Sequence, residues 1–253
     1  MTQPATAGDT PGRSGAAPTP GTPGELRVGV AAAWSCGTLG TFALLTVLQT
    51  LVLKYGVDTL GLSAALAGLI VTATRIFDAS IDPLMGIISD RTVTRWGRRR
   101  PWLLLGGVLC ALSVVLIFAD PLSLALARPA TYLTLCLVWF SIAYTIFSVP
   151  HLAMSYELTS VPRERTLLMS FRIYAFAIGN ICGASLGPWL LSAFGGGQPG
   201  YSGMAWVLSA IIFTACMIAF IGTANARTIS PVDPSERIPL REVARQAAGA
   251  IHN

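Results

Sequence analysis

The sequence predicts an all-α membrane protein built from six transmembrane helices, and three observations carry that prediction. Hydrophobic residues make up 53% of the chain and charged residues 11%, against roughly 25% charged in soluble domains, and the mean hydropathy is +0.63. Long apolar runs recur along the chain, each near the roughly 20 residues that cross a bilayer as a helix. The period-2 alternation of a barrel strand is missing, and in lipid a helix is the other element that satisfies its own backbone polar groups.

Residues 1–27 are rich in Pro, Gly, Thr and Ala and lack the apolar core of a signal peptide, so a disordered tail is expected there. The six-helix bundle is expected over 28–224, with spans at about 28–53, 62–88, 102–119, 131–153, 168–193 and 204–223. The links are short, which makes consecutive helices antiparallel neighbours. Residues 225–253 form a central-loop segment, polar at first and then mildly amphipathic. Leu240, Val243, Ala244 and Ala247 fall on one side of a helix that lies on the inner leaflet or, alternatively, belong to a frayed end.

Arginine placement orients the bundle. With the N-terminus inside, the inner segments hold Arg13, Arg27, Arg91, Arg95, Arg98, Arg99, Arg100, Arg163, Arg165, Arg227, Arg237, Arg241 and Arg245, while the outer ones hold Lys54 and Arg128. Both ends are therefore expected in the cytoplasm, with the chain multi-pass in the cell's inner (plasma) membrane. The net charge of +5 is then an orientation signal, and no nucleic-acid partner is expected. Five cysteines all sit in apolar runs without metal or disulfide spacing.

The second span holds the run RIFDASIDPLMGIISDR, with Arg75, Asp78 and Asp82 at helical spacing in an otherwise greasy segment. A charge at the bilayer centre costs about 2.5–3.5 kcal/mol on insertion scales, so such residues face a bundle interior and find partners there. All three share one helical face. Either they form an internal ion pair that fixes packing, with Arg75 as charge partner, or the carboxylate left over after pairing serves a cation or proton site. Arg172, in the fifth span, either snorkels to the interface or projects into the same cavity.

Smaller features follow. Pro150 and His151 mark a break in the fourth span, where His151 is either a proton relay or a packed residue at a kink. Gly179, Gly183 and Gly187 repeat every four residues, which suits close helix packing. There is no Walker loop, no HExxH, and only two histidines to build a triad, so no enzyme and no cofactor are expected.

The run RIFDASIDPLMGIISDRTVTRWGRRRPW resembles the second helix and following loop of the glycoside-pentoside-hexuronide:cation symporters, the melibiose-permease branch of the major facilitator superfamily. ELTSVPRERTLLMSFR, residues 157–172, resembles that family's loop between helices four and five. The resemblance covers nearly all of 28–253 and implies the N-terminal six-helix half of a major facilitator fold. It matches Asp78 and Asp82 to the family's acidic pair in coupling-cation binding, Thr145 to a hydroxyl at that cation site, and Arg172 to an arginine linked to the sugar site. The loop GIISDRTVTRWGRRRP resembles the superfamily's conformational loop signature, which assigns that role to Gly86, Asp90, Arg91, Gly97, Arg98 and Arg99.

The departures are as informative. Ile81 stands where melibiose permease has an asparagine of its sodium site. Phe42 and Ser148 replace two sugar-binding aspartates, and Leu152 replaces a sugar-stacking tryptophan. The expected function is a cation-coupled symporter of a small solute, a sugar or glycoside, working by alternating access with a second six-helix half. That half comes from the same gene, a companion chain or a second copy. The competing expectations are a half-size transporter that dimerises and a non-transporting membrane fragment. The coupling ion is expected to be a proton rather than sodium, because Ile81 removes an oxygen ligand from the cation shell.

Overall fold

A computed structural model describes residues 28–92, 94, 96–120, 128–159 and 161–224. The expected tail at 1–27, the segment 225–253 with its amphipathic stretch, and Arg95 lie outside the described residues. Six helices follow one another: α1 Val28–Lys54, α2 Ala64–Arg91, α3 Arg100–Ala119, α4 Pro129–Leu158, α5 Pro162–Ala193 and α6 Gly197–Gly222. A π-helical turn, Tyr55–Thr59, extends α1. All six are long and apolar enough to cross a membrane.

Local chemistry sets the helix ends. The Ser63 side chain caps α2 by accepting from the Leu66 amide at 3.3 Å. Prolines open α4 and α5 at positions where the missing N–H costs nothing. Gly195, Gly196 and Gly197 all take positive φ to turn the chain from α5 into α6. Against the expected spans, α4 runs to Leu158 rather than 153, α5 begins at Pro162 rather than 168, and α6 begins at Gly197 rather than 204. Hydropathy marks where a helix meets lipid. The hydrogen-bonded coil continues past that depth into polar sequence, as it does through Glu157 and Glu164.

The expected break at Pro150 does not occur. Helix α4 is continuous through it, as α2 is through Pro83 and α5 through Pro188. Neighbouring helices steady such positions: the His151 ring is stacked on Trp34 of α1 at 4.7 Å.

Packing proceeds along a chain of neighbours in the order α2, α4, α3, α6, α1, α5, so the expected adjacency of consecutive helices holds for α3 with α4 and, less closely, α5 with α6, while α1 with α2, α2 with α3 and α4 with α5 scarcely touch. The bundle is thus an open horseshoe whose free arms are α2 and α5. Lipid gives helices no hydrophobic reason to associate, so contact rests on small residues that let backbones approach. Gly179 and Gly183 lie so close to α1 that an added Cβ would stand 2.6 Å from the Leu39 and Ala43 carbonyls respectively. Gly187 faces Leu51 and Val47 of the same helix. The expected packing role of this repeat is therefore what the structure shows. Gly106 performs the same service between α3 and α4, where a Cβ would meet the Phe147 backbone. Large buried side chains, including Trp34, Leu48, Leu103, Phe118, Leu133, Phe147 and Met204, fill the interior between these contacts.

Helices α2 and α5 are the least buried of the six. Ile76 on α2 and Tyr174 on α5 are 68% and 69% exposed. On the face of α2 that carries Arg75, Asp78 and Asp82, Asp82 is exposed and Arg75 and Asp78 are half-buried.

Candidate functional site

In the mouth of the horseshoe, α2 brings its acids against α4. Thr145 is wholly buried, and its hydroxyl donates to Asp82 Oδ1 at 2.8 Å with Asp78 Oδ1 at 3.4 Å. Three oxygens from two helices, far apart in sequence, converge here. Asp78 and Asp82 lie one turn apart on α2, and Ser141, one turn before Thr145 on α4, is also near enough to act on Asp78. Ser141 went unnoticed in the sequence, although its spacing of four from Thr145 on an apolar helix was the available signal.

Arg75 does not serve as the ion-pair partner that its spacing suggested. No ion pair joins it to either acid among the described residues, and it acts on Asp78 through space alone. The carboxylate oxygens are turned instead toward the hydroxyls of α4. The internal salt bridge is thereby replaced by a carboxylate–hydroxyl cluster.

Beside this cluster opens a cavity of about 230 Å³ walled by α1, α2, α4 and α5. Asp82 and Arg172 both line it, together with Thr38, Phe42, Ser148 and Leu152. Arg172 thus turns toward the cavity shared with Asp82, and its charge is felt by His151 across the wall. Phe42 meets Phe176 of α5 edge-on at 4.6 Å, and one turn further along α1 the Thr46 hydroxyl lies 2.6 Å from Asn180 Oδ1. A larger cavity of about 390 Å³ lies between α1 and α6, walled by Cys36, Leu39, Ile211 and other uncharged side chains, and it holds no charged group to do chemistry.

His151 lines the smaller cavity but is locked in place. Its Nε2 lies 2.8 Å from the Trp34 carbonyl, Trp34 Nε1 donates to the His151 carbonyl at 3.1 Å, and Phe147 stacks on the ring at 5.2 Å. Gly37 makes room for it, since a Cβ there would stand 2.7 Å from Nε2. Packing accounts for this residue.

The loop between α2 and α3 forms a second cluster. Arg99 Nη2 donates to Asp90 Oδ1 at 2.8 Å, Arg98 Nη2 donates to Glu157 Oε1 at 2.6 Å, and Arg99 Nε lies 3.4 Å from the same oxygen. Glu157 of α4, not singled out in the sequence, is the anion that ties the loop down. The signal was a lone acid at a helix end, opposite three consecutive arginines. Arg100 reaches α6, donating to the Phe220 carbonyl at 3.1 Å. Gly97 has φ of +99° with open space around it, so the turn requires glycine for its backbone rather than for room. At Gly86 a Cβ would find nothing nearer than Val149 Cγ1 at 3.9 Å. Arg91 ends α2 half-buried, with its Nη2 sealed from solvent and without a hydrogen bond.

Six apolar helices, an acid pair tied to a helix-four hydroxyl and an arginine-rich loop after helix two are the features by which the sequence resembled a symporter family. Residues 33–249 match the family described as MFS/sugar transport protein. The chain belongs to the MFS/sugar transport protein family. Among curated relatives, it is 33% identical over 183 residues to the putative glycoside/cation symporter YagG of Escherichia coli, covering 72% of this chain and 39% of that protein. It is 29% identical over 188 residues to the inner membrane symporter YicJ of the same organism, covering 74% and 41%. It is also 29% identical over 199 residues to the isoprimeverose transporter of Lactiplantibacillus pentosus, covering 78% and 41%. The chain spans about two-fifths of the length of these relatives. The fold is that of a six-helix half within this family of multi-pass membrane proteins.

Proposed function

We propose that this chain forms the cation- and solute-binding N-terminal half of a symporter that moves a small polyhydroxylated solute, a sugar or glycoside, by alternating access. The observation that carries the reading is the Thr145 hydroxyl within reach of both Asp78 and Asp82 at the edge of the cavity that holds Arg172. One hydroxyl proton serves one carboxylate at a time, so a shared cation or proton is what lets both acids engage the same oxygen. The relatives named for glycoside/cation symport and isoprimeverose transport support the substrate class.

The bundle sits in the cell's inner (plasma) membrane with the arginine-loop end, where α1 starts and α6 finishes, in the cytoplasm, as the arginine asymmetry supports. A second six-helix half covers the open faces of α2 and α5. Polar groups on a lipid-facing surface are expensive, and Asp82 and Arg75 on one face of α2 favour cover by protein or by a water-filled cavity. At the loop end, Asp90 remains half exposed beside Arg99, so it is free to alternate between this arginine and the second half.

The coupling ion is a proton. The position beside Asp82 offers Ile81 rather than an amide, which takes one oxygen ligand from a sodium shell. A proton needs one carboxylate of a closely spaced pair, and the pair titrates as a unit. The test is solute uptake in sodium-free vesicles with an imposed pH gradient. Accumulation there supports proton coupling; accumulation only after millimolar sodium is added shows that water completes a sodium site.

A further inference from the structure

Charge divides the two free arms of the horseshoe. Helix α2 carries Asp78, Asp82 and Asp90 against Arg75 and Arg91, and is net acidic. Helix α5 carries Arg163, Arg165 and Arg172 against Glu164, and is net basic. The arms scarcely touch within the chain, and no ion pair joins them among the described residues. Asp82 is exposed and Arg172 half-buried, and both border the cavity in the mouth.

The charges also match in depth. The Arg91 end of α2 and the Pro162 end of α5 lie at the same end of the bundle, because Arg98, in the link after α2, holds Glu157, near the end of α4 just before α5. Counted from those ends at about 1.5 Å per residue, Asp82 stands about 14 Å along α2 and Arg172 about 15 Å along α5. Ala79 and Ile173, exposed near them, stand at about 18 and 17 Å.

The arginine asymmetry gives every copy of the chain one orientation, so two copies associate about a two-fold axis along the membrane normal. With their mouths facing across that axis, α2 of each copy falls opposite α5 of the other. The acidic arm of one chain then meets the basic arm of the next, twice, at equal depth. A back-to-back pair would leave both mouths and their charges to lipid, which is costly.

We propose that the second half is a second copy of this chain, docked mouth to mouth so that α2 of each copy lies along α5 of its partner and both copies wall the solute cavity. This rests on the symport reading above, in which a second six-helix half covers the mouth, and it names that half.

The test is disulfide cross-linking in membrane vesicles from a strain expressing two versions of the full chain from the native locus. In both versions the half-exposed Cys36 and Cys182 are replaced by serine. One version carries Ala79→Cys and a first tag, the other Ile173→Cys and a second tag, so this bond forms only between copies. A species of twice the chain mass bearing both tags is expected. The control pair is Leu105→Cys on α3 with Ile218→Cys on α6, exposed positions on helices outside the mouth, and it should not link. Absence of the α2–α5 link, with both versions in the membrane at wild-type levels, overturns the dimer. Equal linking by the control pair also overturns it, since that marks random collision. Uptake of p-nitrophenyl galactoside, glucoside and xyloside by the same vesicles, set against the deletion strain, separates the two readings. Uptake without the link leaves symport standing with another chain as the second half, whereas the link without uptake removes symport and leaves the dimer.

Discussion

At the residue scale, Asp78, Asp82 and Thr145 bear the most chemistry in the least space. The Thr145 hydroxyl donates to a carboxylate, and hydrogen bonds to charged groups contribute about 1.5–3 kcal/mol. Thr145→Val should therefore weaken cation coupling about tenfold or more, read as a shift in the cation concentration that half-saturates uptake, while Thr145→Ser keeps most of it. The acids were legible in the sequence because a charge in an apolar run is conspicuous. Thr145 entered only through the resemblance, since a threonine in a greasy helix ordinarily bonds its own backbone. Ser141 and Glu157 were not legible. What distinguishes each is a group brought near from a distant part of the chain.

At the element scale, two glycines of different kinds make opposite predictions. Gly183 is a contact: Gly183→Val drives a side chain into the Ala43 carbonyl of α1 and should cost about 1–3 kcal/mol, seen as a lower unfolding temperature in detergent. Gly86 is not, since Gly86→Ala meets ordinary space; the variant should unfold at or slightly above the wild-type temperature. Any loss of uptake then belongs to the conformational cycle rather than to packing. Glu157 anchors the loop between α2 and α3 through Arg98 and Arg99. Glu157→Gln should cost about 1.5–3 kcal/mol and expose the loop to protease, whereas a silent variant would show that the arginines hold the loop alone. The six helices were readable from hydropathy, but the end of α4 and the starts of α5 and α6 were not, because helices continue beyond the apolar runs into polar and interfacial sequence. The break expected at Pro150 failed for a related reason: neighbouring helices hold the coil together where the local sequence alone predicts a kink.

At the scale of the whole molecule, the horseshoe is open along α2 and α5, and the site lies in the opening. An isolated, demonstrably monomeric chain in liposomes should therefore insert without accumulating solute, and uptake by such a preparation would contradict the need for a second half. The family was legible from two motifs and their order. What no stretch of sequence displays is that Asp82 and Arg172, nearly a hundred residues apart, border one cavity, because α3 and α4 stand between them in the chain while α1 and α4 complete its walls in the fold. The central claim is that Asp78 and Asp82 couple a cation to the solute. Its most direct test is gradient-driven accumulation in native-locus vesicles carrying Asp78→Asn or Asp82→Asn, with solute exchange at equilibrium measured beside it. Each variant is expected to lose accumulation while remaining in the membrane at wild-type levels, with exchange persisting in at least one of them. Accumulation undiminished in both variants would contradict the claim.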